Sequence, residues 1–366
     1  MIILVINSGS SSVKYGIFDL TTGGVPARGI VDLTATEHSG DRAGAIRQIF
    51  RQAKDIDGIG HRVVHGGAGF LTPMRIDPGV LERIRALNHL APLHNPASTL
   101  GIDIALEAAP ETPQVAVFDT TFFSTLPESA WRYALPKALA DTHQIRRYGF
   151  HGISHEYVAN EAAQRLGRAT NTLRLITLHL GNGASAAAIE GGRCVETSMG
   201  MTPQEGLVMG TRAGDLDPSI LIHLQRQTGM TAEQLEQLLN RESGLRGLCG
   251  ETDMRTIRER ARHSDAQARL AIDIFVHRVR KYIGAYTAVL GGLDALVFTG
   301  GIGEHDADLR DEVCKGLSCL GIRLDAQRNA GQATIISQAE QTPQVMVIPT
   351  NEELAIARAT QRCLAR

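Results

Sequence analysis

Aromatic residues make up only 4% of this 366-residue chain, and tryptophan occurs once. Neither sign of charge is in excess: 37 Lys and Arg stand against 39 Asp and Glu, a net of −2. A chain so balanced exerts no long-range pull on polyanions or anionic lipid, which argues against nucleic acid and membrane surfaces as partners. Long apolar runs are missing too. The longest near the start, Ile2 to Ile6, has no positive charge before it and is too short for a secretory core or a membrane span. The five cysteines, Cys194, Cys249, Cys314, Cys319 and Cys363, form no C-x-x-C pair and are odd in number, so they read as reduced thiols of a cytoplasmic protein. No G-x-x-x-x-G-K-[ST] occurs, which removes a P-loop nucleotide site. What is abundant is glycine, 38 residues, which argues for many tight backbone turns. At about 150 residues per domain the length predicts two domains.

Short apolar strands alternate with amphipathic helices, the pattern of α/β architecture. Strands are expected at Ile2–Ile6, Val13–Phe18, Ile59–Val64, Gln114–Phe118, Leu173–Leu180, Ala184–Ile189, Ala295–Phe298 and Val345–Ile348. Asp77-Pro78, Asn95-Pro96 and Asp217-Pro218 each place a capping side chain before a first-turn proline. Thr231 with Gln234, and Ser264 with Gln267, have capping-box spacing. A long helix is expected from Ser264 to about Leu290, with Leu270, Ile274, Val276, Val279, Ile283 and Tyr286 as its buried stripe. Residues 2–18 and 176–192 each read strand, Gly/Ser/Asn-rich turn, strand, with Gly9 aligned to Gly183 and Ser11 to Ser185. Two unrelated hairpins could share that pattern. A duplicated fold, each half offering a turn of backbone N–H groups to a phosphate chain, is the sharper reading.

Several clusters carry chemistry. Asn7, Ser10, Ser12 and Lys14 surround Gly9 and supply neutral donors and one ammonium to an anion. Arg62 and Val64 alternate onto one face of a strand that ends in Gly66-Gly67, and His94 follows in HLAPLHNP at 89–96. Asp119 falls just past an apolar strand, where open α/β sheets gather ligands. His151 and His155 are four apart, but Gly149, Gly152 and the missing H-E-x-x-H glutamate argue against a zinc pair. A long glycine-dense loop, 198–218, holds a single arginine, Arg212, and loops of that length in compact domains are generally functional. Residues 298–304, FTGGIGE, read as a strand, a glycine turn and a helix, which suits a nucleoside resting on bare backbone. Asn351-Glu352-Glu353 opens a last helix, where acids ordinarily serve the helix dipole.

In order along the chain these segments resemble the acetate kinase family: NSGSSSVK at 7–14, GHRVVHGG at 60–67, RRYGFHGISH at 146–155, HLGNGAS at 179–185, ETSMGMTPQEGLVMGTRAGDLDP at 196–218, FTGGIGE at 298–304 and PTNEELAIA at 349–357. The resemblance implies a duplicated actin-like (ribonuclease H-like) α/β fold with two domains flanking a nucleotide cleft, 1–121 plus 354–366 and 122–353. It implies reversible phosphoryl transfer from ATP to acetate with magnesium (manganese in its place is plausible), and a homodimer. Carried over residue by residue, Arg62 orients the carboxylate, and Arg212, His151 and His94 serve the transferring phosphoryl. Asp119 stands beside Asn7 and Glu352, which are tied to the metal. Val64, Leu93, Phe150 and Pro203 match the pocket for the acyl methyl group. Asn7, Ser10, Ser12, Lys14, His179, Gly181, Asn182, Gly183, Asp253, Met254, Arg255, Gly301, Ile302, Gly303 and Glu304 match the nucleotide site. Phe123 and His305 depart from the family pattern, where His and Asn are usual. A propionate or butyrate kinase of the same superfamily stays open, because one methylene is worth only ~1–3 kcal/mol in an apolar pocket. So does, from another class, an actin-like ATPase acting by conformational change.

Overall fold

The computed structural model describes every residue except 10–11, 34–40, 54, 93, 332, 340 and 366. Ser10, Ser11 and Leu93 therefore lie outside the described residues. The chain forms two compact units: Met1–Ser124 with Phe150–Tyr157 and Asn351–Arg366, and Thr125–Gly149 with Val158–Thr350.

The first unit holds β1 (Ile2–Ser8), β2 (Ser12–Asp19), β3 (Gly24–Asp32), β4 (Gly58–Val63), β5 (Met74–Arg75) and β6 (Gln114–Phe118), in the order β3-β2-β1-β4-β6-β5. Alternation along β1 sends side chains to both faces. Leu4 and Ile6 meet Ile46 and Ile49 of α1 (Arg42–Gln52) and Ile104 of α2 (Asn95–Ala108). Ile3 and Val5 instead meet Ile356 and Ala357 of the helix Glu352–Leu364. β1 thus reads as an unbroken apolar run because it is covered on both sides.

The second unit repeats the plan with β7 (Arg174–Leu180), β8 (Ala184–Glu190), β9 (Arg193–Thr197), β10 (Ala295–Thr299) and β11 (Gln344–Val347), in the order β11-β10-β7-β8-β9. In each unit the first three strands are antiparallel neighbours, and the fourth joins the first in parallel and is joined in parallel by the last. β5 is an added antiparallel edge of the first sheet. The hairpin ladders close at Ser8–Val13 and Leu180–Ala184, so Gly9 corresponds by position to Gly181. The sequence alignment with Gly183 slips by two because Gly, Ser and Asn repeat within both turns.

Other expectations shift for local reasons. The box at Thr231–Gln234 forms, whereas the long helix runs Ala266–Leu290 and is capped by Asp265, with Ser264 in a left-handed conformation at φ 67°. That helix buries Ala268, Ala271, Ile272, Phe275, Val276, Val279, Ile283 and Tyr286, and leaves Leu270 54% exposed. Its inner stripe includes small alanines that a search for large apolar residues passes over. Asn95 does not cap α2; the cap position is His94, and the Asn95 amide is engaged elsewhere. β3 escaped prediction as a largely exposed edge strand carrying Pro26, which a central strand would not tolerate.

Candidate active site

In the first unit the parallel strands β1, β4 and β6 end side by side, and their carboxyl ends bring the charged candidates together. Arg62 on β4 grips Asp119 bidentately, Nε donating to Oδ1 at 3.2 Å and Nη2 to Oδ2. Its Nη1 donates to Asn7 Oδ1 on β1 at 3.4 Å, and Glu352 Oε2 stands 3.8 Å from Nε. Glu352 arrives there because Asn351, accepting from Leu354 N at 3.1 Å, starts the last helix at this point. Asp119 is 1% exposed. Burial pushes its carboxyl up, Arg62 pulls it back and Glu352 repels it, leaving it at about 6. Burial works against the charge of Arg62, but the two carboxylates hold it above the usual arginine value. Asn7, Asp119 and Glu352 present only oxygen donors, the set a hard cation such as magnesium takes alongside phosphate and water. Among the described residues no group of three or more His, Cys, Asp or Glu could cage a metal without such help.

Backbone contacts place the neighbours. Asp119 N donates to Val63 O at 3.0 Å, and Gly152 N donates to Asp119 O at 2.9 Å. Gly152 opens α3 (Gly152–Leu166), and any Cβ there would overlap the Asp119 carbonyl. His151, just before it, takes a left-handed φ of 60°, a strained state for a non-glycine residue of the kind that functional sites hold. Asn95 exchanges two hydrogen bonds of 3.0 Å with the backbone of His65, fastening the end of β4, and with it Val64, to the start of α2 at His94. Phe150 is buried with its ring edge-on to His65, centroids 5.4 Å apart. On the hairpin, Gly9 N donates to Ser12 O at 2.9 Å, Arg42 Nη2 donates to Gly9 O at 2.8 Å, and Lys14 is exposed opposite Asn7. Arg42 was not foreseen; nothing in its local sequence links it to the turn.

In the second unit Arg212 donates to Pro203 O at 2.6 Å and to the Met209 thioether. Among the described residues it has no carboxylate partner, and burial alone lowers its pKa. A cavity of about 800 Å³ is lined by Gly181, Asn182, Asp253, Met254, Arg255, Gly301 and Ile302 of the expected nucleotide set. Its wall also includes Arg258, Arg262 and His305, of which only His305 stood out in the sequence. The volume suits a nucleoside. His179 and Gly183 belong to the hairpin beside the cavity, and Gly303 lies in the helix that follows β10. Glu304 turns inward: Oε1 accepts from Gly300 N at 2.9 Å and Thr350 N at 3.1 Å.

A twice-repeated α/β unit, with carboxylates and an arginine at strand ends in one copy and a nucleoside-sized cavity in the other, defines the actin-like phosphotransferase class. The acetokinase family model matches residues 44–358. The acetate kinase of Leifsonia xyli is 49% identical, with 99% of each chain covered. Among solved structures, the acetate kinase of Porphyromonas gingivalis superposes with a TM-score of 0.93 at 39% identity, covering 99% of each chain. A propionate kinase from Francisella tularensis gives 0.91 at 40%, again covering 99% of each. The chain belongs to the acetokinase family.

Proposed function

We infer that this protein catalyses the reversible transfer of the ATP γ-phosphoryl group to acetate, giving acetyl phosphate and ADP. The reading is supported above all by Arg62, held between Asn7, Asp119 and Glu352 in a chain similar over its whole length to acetate kinases. A carboxylic acid with a pKa near ~4 is already ionised at neutral pH, so the acceptor needs no general base. What the reaction demands is alignment of two anions and positive charge where the transferring phosphoryl spreads its own. Arg62 orients the acetate carboxylate, and Arg212, His151 and His94 stabilise the phosphoryl group. Asp119 fixes Arg62 and is not a base. By their match to the family, Val64, Leu93, Phe150 and Pro203 serve the acyl methyl group, and Ser10, Ser12, Lys14 and the residues lining the cavity serve the nucleotide. Asn7 and Glu352 would hold magnesium, which when bound neutralises phosphate charge. Acetate, with four heavy atoms at no more than ~1.5 kcal/mol each, can gain at most ~6 kcal/mol, a Kd on the order of tens of micromolar at the tightest, and binding in the millimolar range is expected. The protein works in the cytoplasm as a homodimer; Leu270 and Val289, 54% and 55% exposed on the helix Ala266–Leu290, suit a second copy. Among the described residues no helix is long and apolar enough to cross a membrane.

The 49% identity to an acetate kinase, against 40% to the propionate kinase, favours acetate, and a longer acid is the alternative. Hydroxylamine trapping of ATP- and magnesium-dependent acyl phosphate, with acetate, propionate and butyrate side by side, tests the reading. Product chiefly from acetate supports it, and product chiefly from a longer acid changes the substrate. Absence of product with every acid, alongside ATP hydrolysis, defeats it in favour of an actin-like ATPase.

A further inference from the structure

Arg147 lies three residues before Phe150, and its guanidinium, 15% exposed, is spent wholly inside the second unit. Nε donates to Ala130 O at 3.2 Å. Nη1 meets the successive carbonyls of Thr197, Ser198 and Met199 at 3.0, 3.4 and 3.3 Å. Nη2 donates to Glu205 Oε1 at 2.6 Å. The other Glu205 oxygen accepts from the Tyr133 hydroxyl, which in turn accepts from Met201 N at 3.0 Å. Gly200 O receives Tyr148 N at 3.0 Å and Gly149 N at 3.3 Å. A Cβ at Gly200 would sit on the Glu205 carboxylate and the Tyr133 hydroxyl, so glycine is required there.

Two stretches are therefore pinned to one hub. Residues 147–149 lead directly into Phe150 and His151, and residues 197–205 carry Pro203, whose carbonyl receives Arg212 at 2.6 Å. The far end of that loop is clamped separately: Asp215 accepts from Gly206 N at 2.9 Å and from Tyr282 Oη at 2.9 Å, and pairs with Arg278 at 3.1 Å. Removing three half-buried charges, Arg147, Glu205 and Glu196, from water is costly, and apolar side chains of the same size would fill the space as well. A planar fork reaching four carbonyls and two carboxylates at once, Glu205 and, at 3.7 Å, Glu196, is something neither lysine nor an apolar residue can supply.

We propose that Arg147, Glu205 and Tyr133 are positioning residues that set the loop of Pro203 and Arg212 against the segment leading to Phe150, and so govern acyl-chain selection. The proposal rests on the acyl phosphate reading above. Tyr133→Phe removes one oxygen from the hub and leaves the Arg147–Glu205 pair. It is expected to lower kcat/KM for acetate by about tenfold to a hundredfold, the range for a small misplacement of reacting groups. It should also pull the acetate-to-propionate ratio toward unity while the Kd for ADP stays unchanged. Glu205→Gln, which keeps an acceptor oxygen, should retain more activity than Glu205→Ala. Unchanged kcat/KM and acyl ratio in folded Tyr133→Phe overturn the proposal, as does a uniform loss that tracks Tm and leaves the ratio intact. Amide hydrogen exchange tests the hub without any substrate. Met201, Tyr148 and Gly149 should exchange at least about tenfold faster in Tyr133→Phe than in the parent, because one tie of a shared network is cut. Equal exchange overturns the hub itself, whereas faster exchange in a protein that makes no acyl phosphate shows that only the acyl reading was wrong.

Discussion

A single added methyl group at Gly152 should disable the site while leaving the fold standing. Gly152 donates its N–H to Asp119 O at 2.9 Å, and a Cβ there would overlap that carbonyl and stand 3.0 Å from Phe122 Cβ and 3.1 Å from the Phe123 ring. Ordinary carbon contacts need ~3.5 Å or more, so roughly 1 Å must open between the start of α3 and the end of β6. The segment that yields carries Asp119 on one side and His151 on the other. Overpacking of this kind costs about 1–3 kcal/mol in stability, offset by the better helix propensity of alanine, worth up to ~1 kcal/mol. The expected effect on chemistry is larger: displacement of reacting groups on the order of 1 Å costs up to ~100-fold, or ~2.7 kcal/mol of barrier. Gly167→Ala is the control, beyond the far end of the same helix at φ 61° with nothing within 4 Å of its Cβ. It meets left-handed strain of about 1 kcal/mol and no neighbour. Thermal melting and hydroxamate-trapped kcat/KM on both proteins separate the effects. If Gly152→Ala is folded and turns over within about twofold of the parent, the steric coupling of Asp119 to His151 is refuted.

The two candidate arginines should fail in different ways. Arg62→Ala leaves Asp119 and Glu352 facing one another without a cation, so denaturant titration should show a loss of ~3–5 kcal/mol; adding Asp119→Asn should restore most of that stability and none of the acyl phosphate formation. Arg212→Ala strands no carboxylate and should hold its stability within about 1 kcal/mol, yet lose at least ~3 kcal/mol of transition-state stabilisation in kcat/KM; a denaturation midpoint falling as far as that of Arg62→Ala would contradict the assignment. Burial holds His61 down to about 4, with Gln114 Oε1 2.7 Å from its Nε2. Its folded pKa lies below the unfolded ~6.5, so the stability it contributes is complete above that value and is lost as pH falls toward 4, by roughly 3 kcal/mol at ~1.4 kcal/mol per unit. Denaturant melts at pH 7 and 4.5 should show that slope in the parent and not in His61→Gln; equal slopes would sink the assignment.

The repeated sheet was legible because its central strands are short apolar runs punctuated by glycine, and those runs are the signal that reading by periodicity uses. The edge strands β3 and β9 were not: β3 is largely exposed and carries Arg28 and Asp32, and β9 is five residues long with Arg193 and the half-buried Glu196 in it, so both hide among turns. Arg62, Asp119 and Glu352 were found singly, each at the end of an apolar strand or the start of a helix. That Asp119 stands beside Glu352 came only through the family resemblance, and the grip of Arg62 on both depends on β4 lying between β1 and β6, an order that no local pattern encodes. The hub shows the limit most clearly. Arg147 and Glu205 sit inside motifs that drew notice for other residues, while Tyr133 belongs to no motif and becomes visible only where its hydroxyl meets Glu205 and Met201.

A near-neutral chain can serve a reaction between two anions because its positive charge is arranged locally. Arg62 is held against Asp119, Asn7 and Glu352, so its direction is fixed before any substrate arrives and little reorganisation remains for binding. Among the described residues the Arg212 guanidinium meets a carbonyl and a thioether, contacts that orient it without neutralising it. No described carboxylate pairs with it, and burial makes its attraction to an anion stronger than it would be in water. The division of labour follows: an arginine already neutralised by its neighbours suits aligning a ground-state carboxylate, and an uncompensated one suits charge that grows toward the transition state.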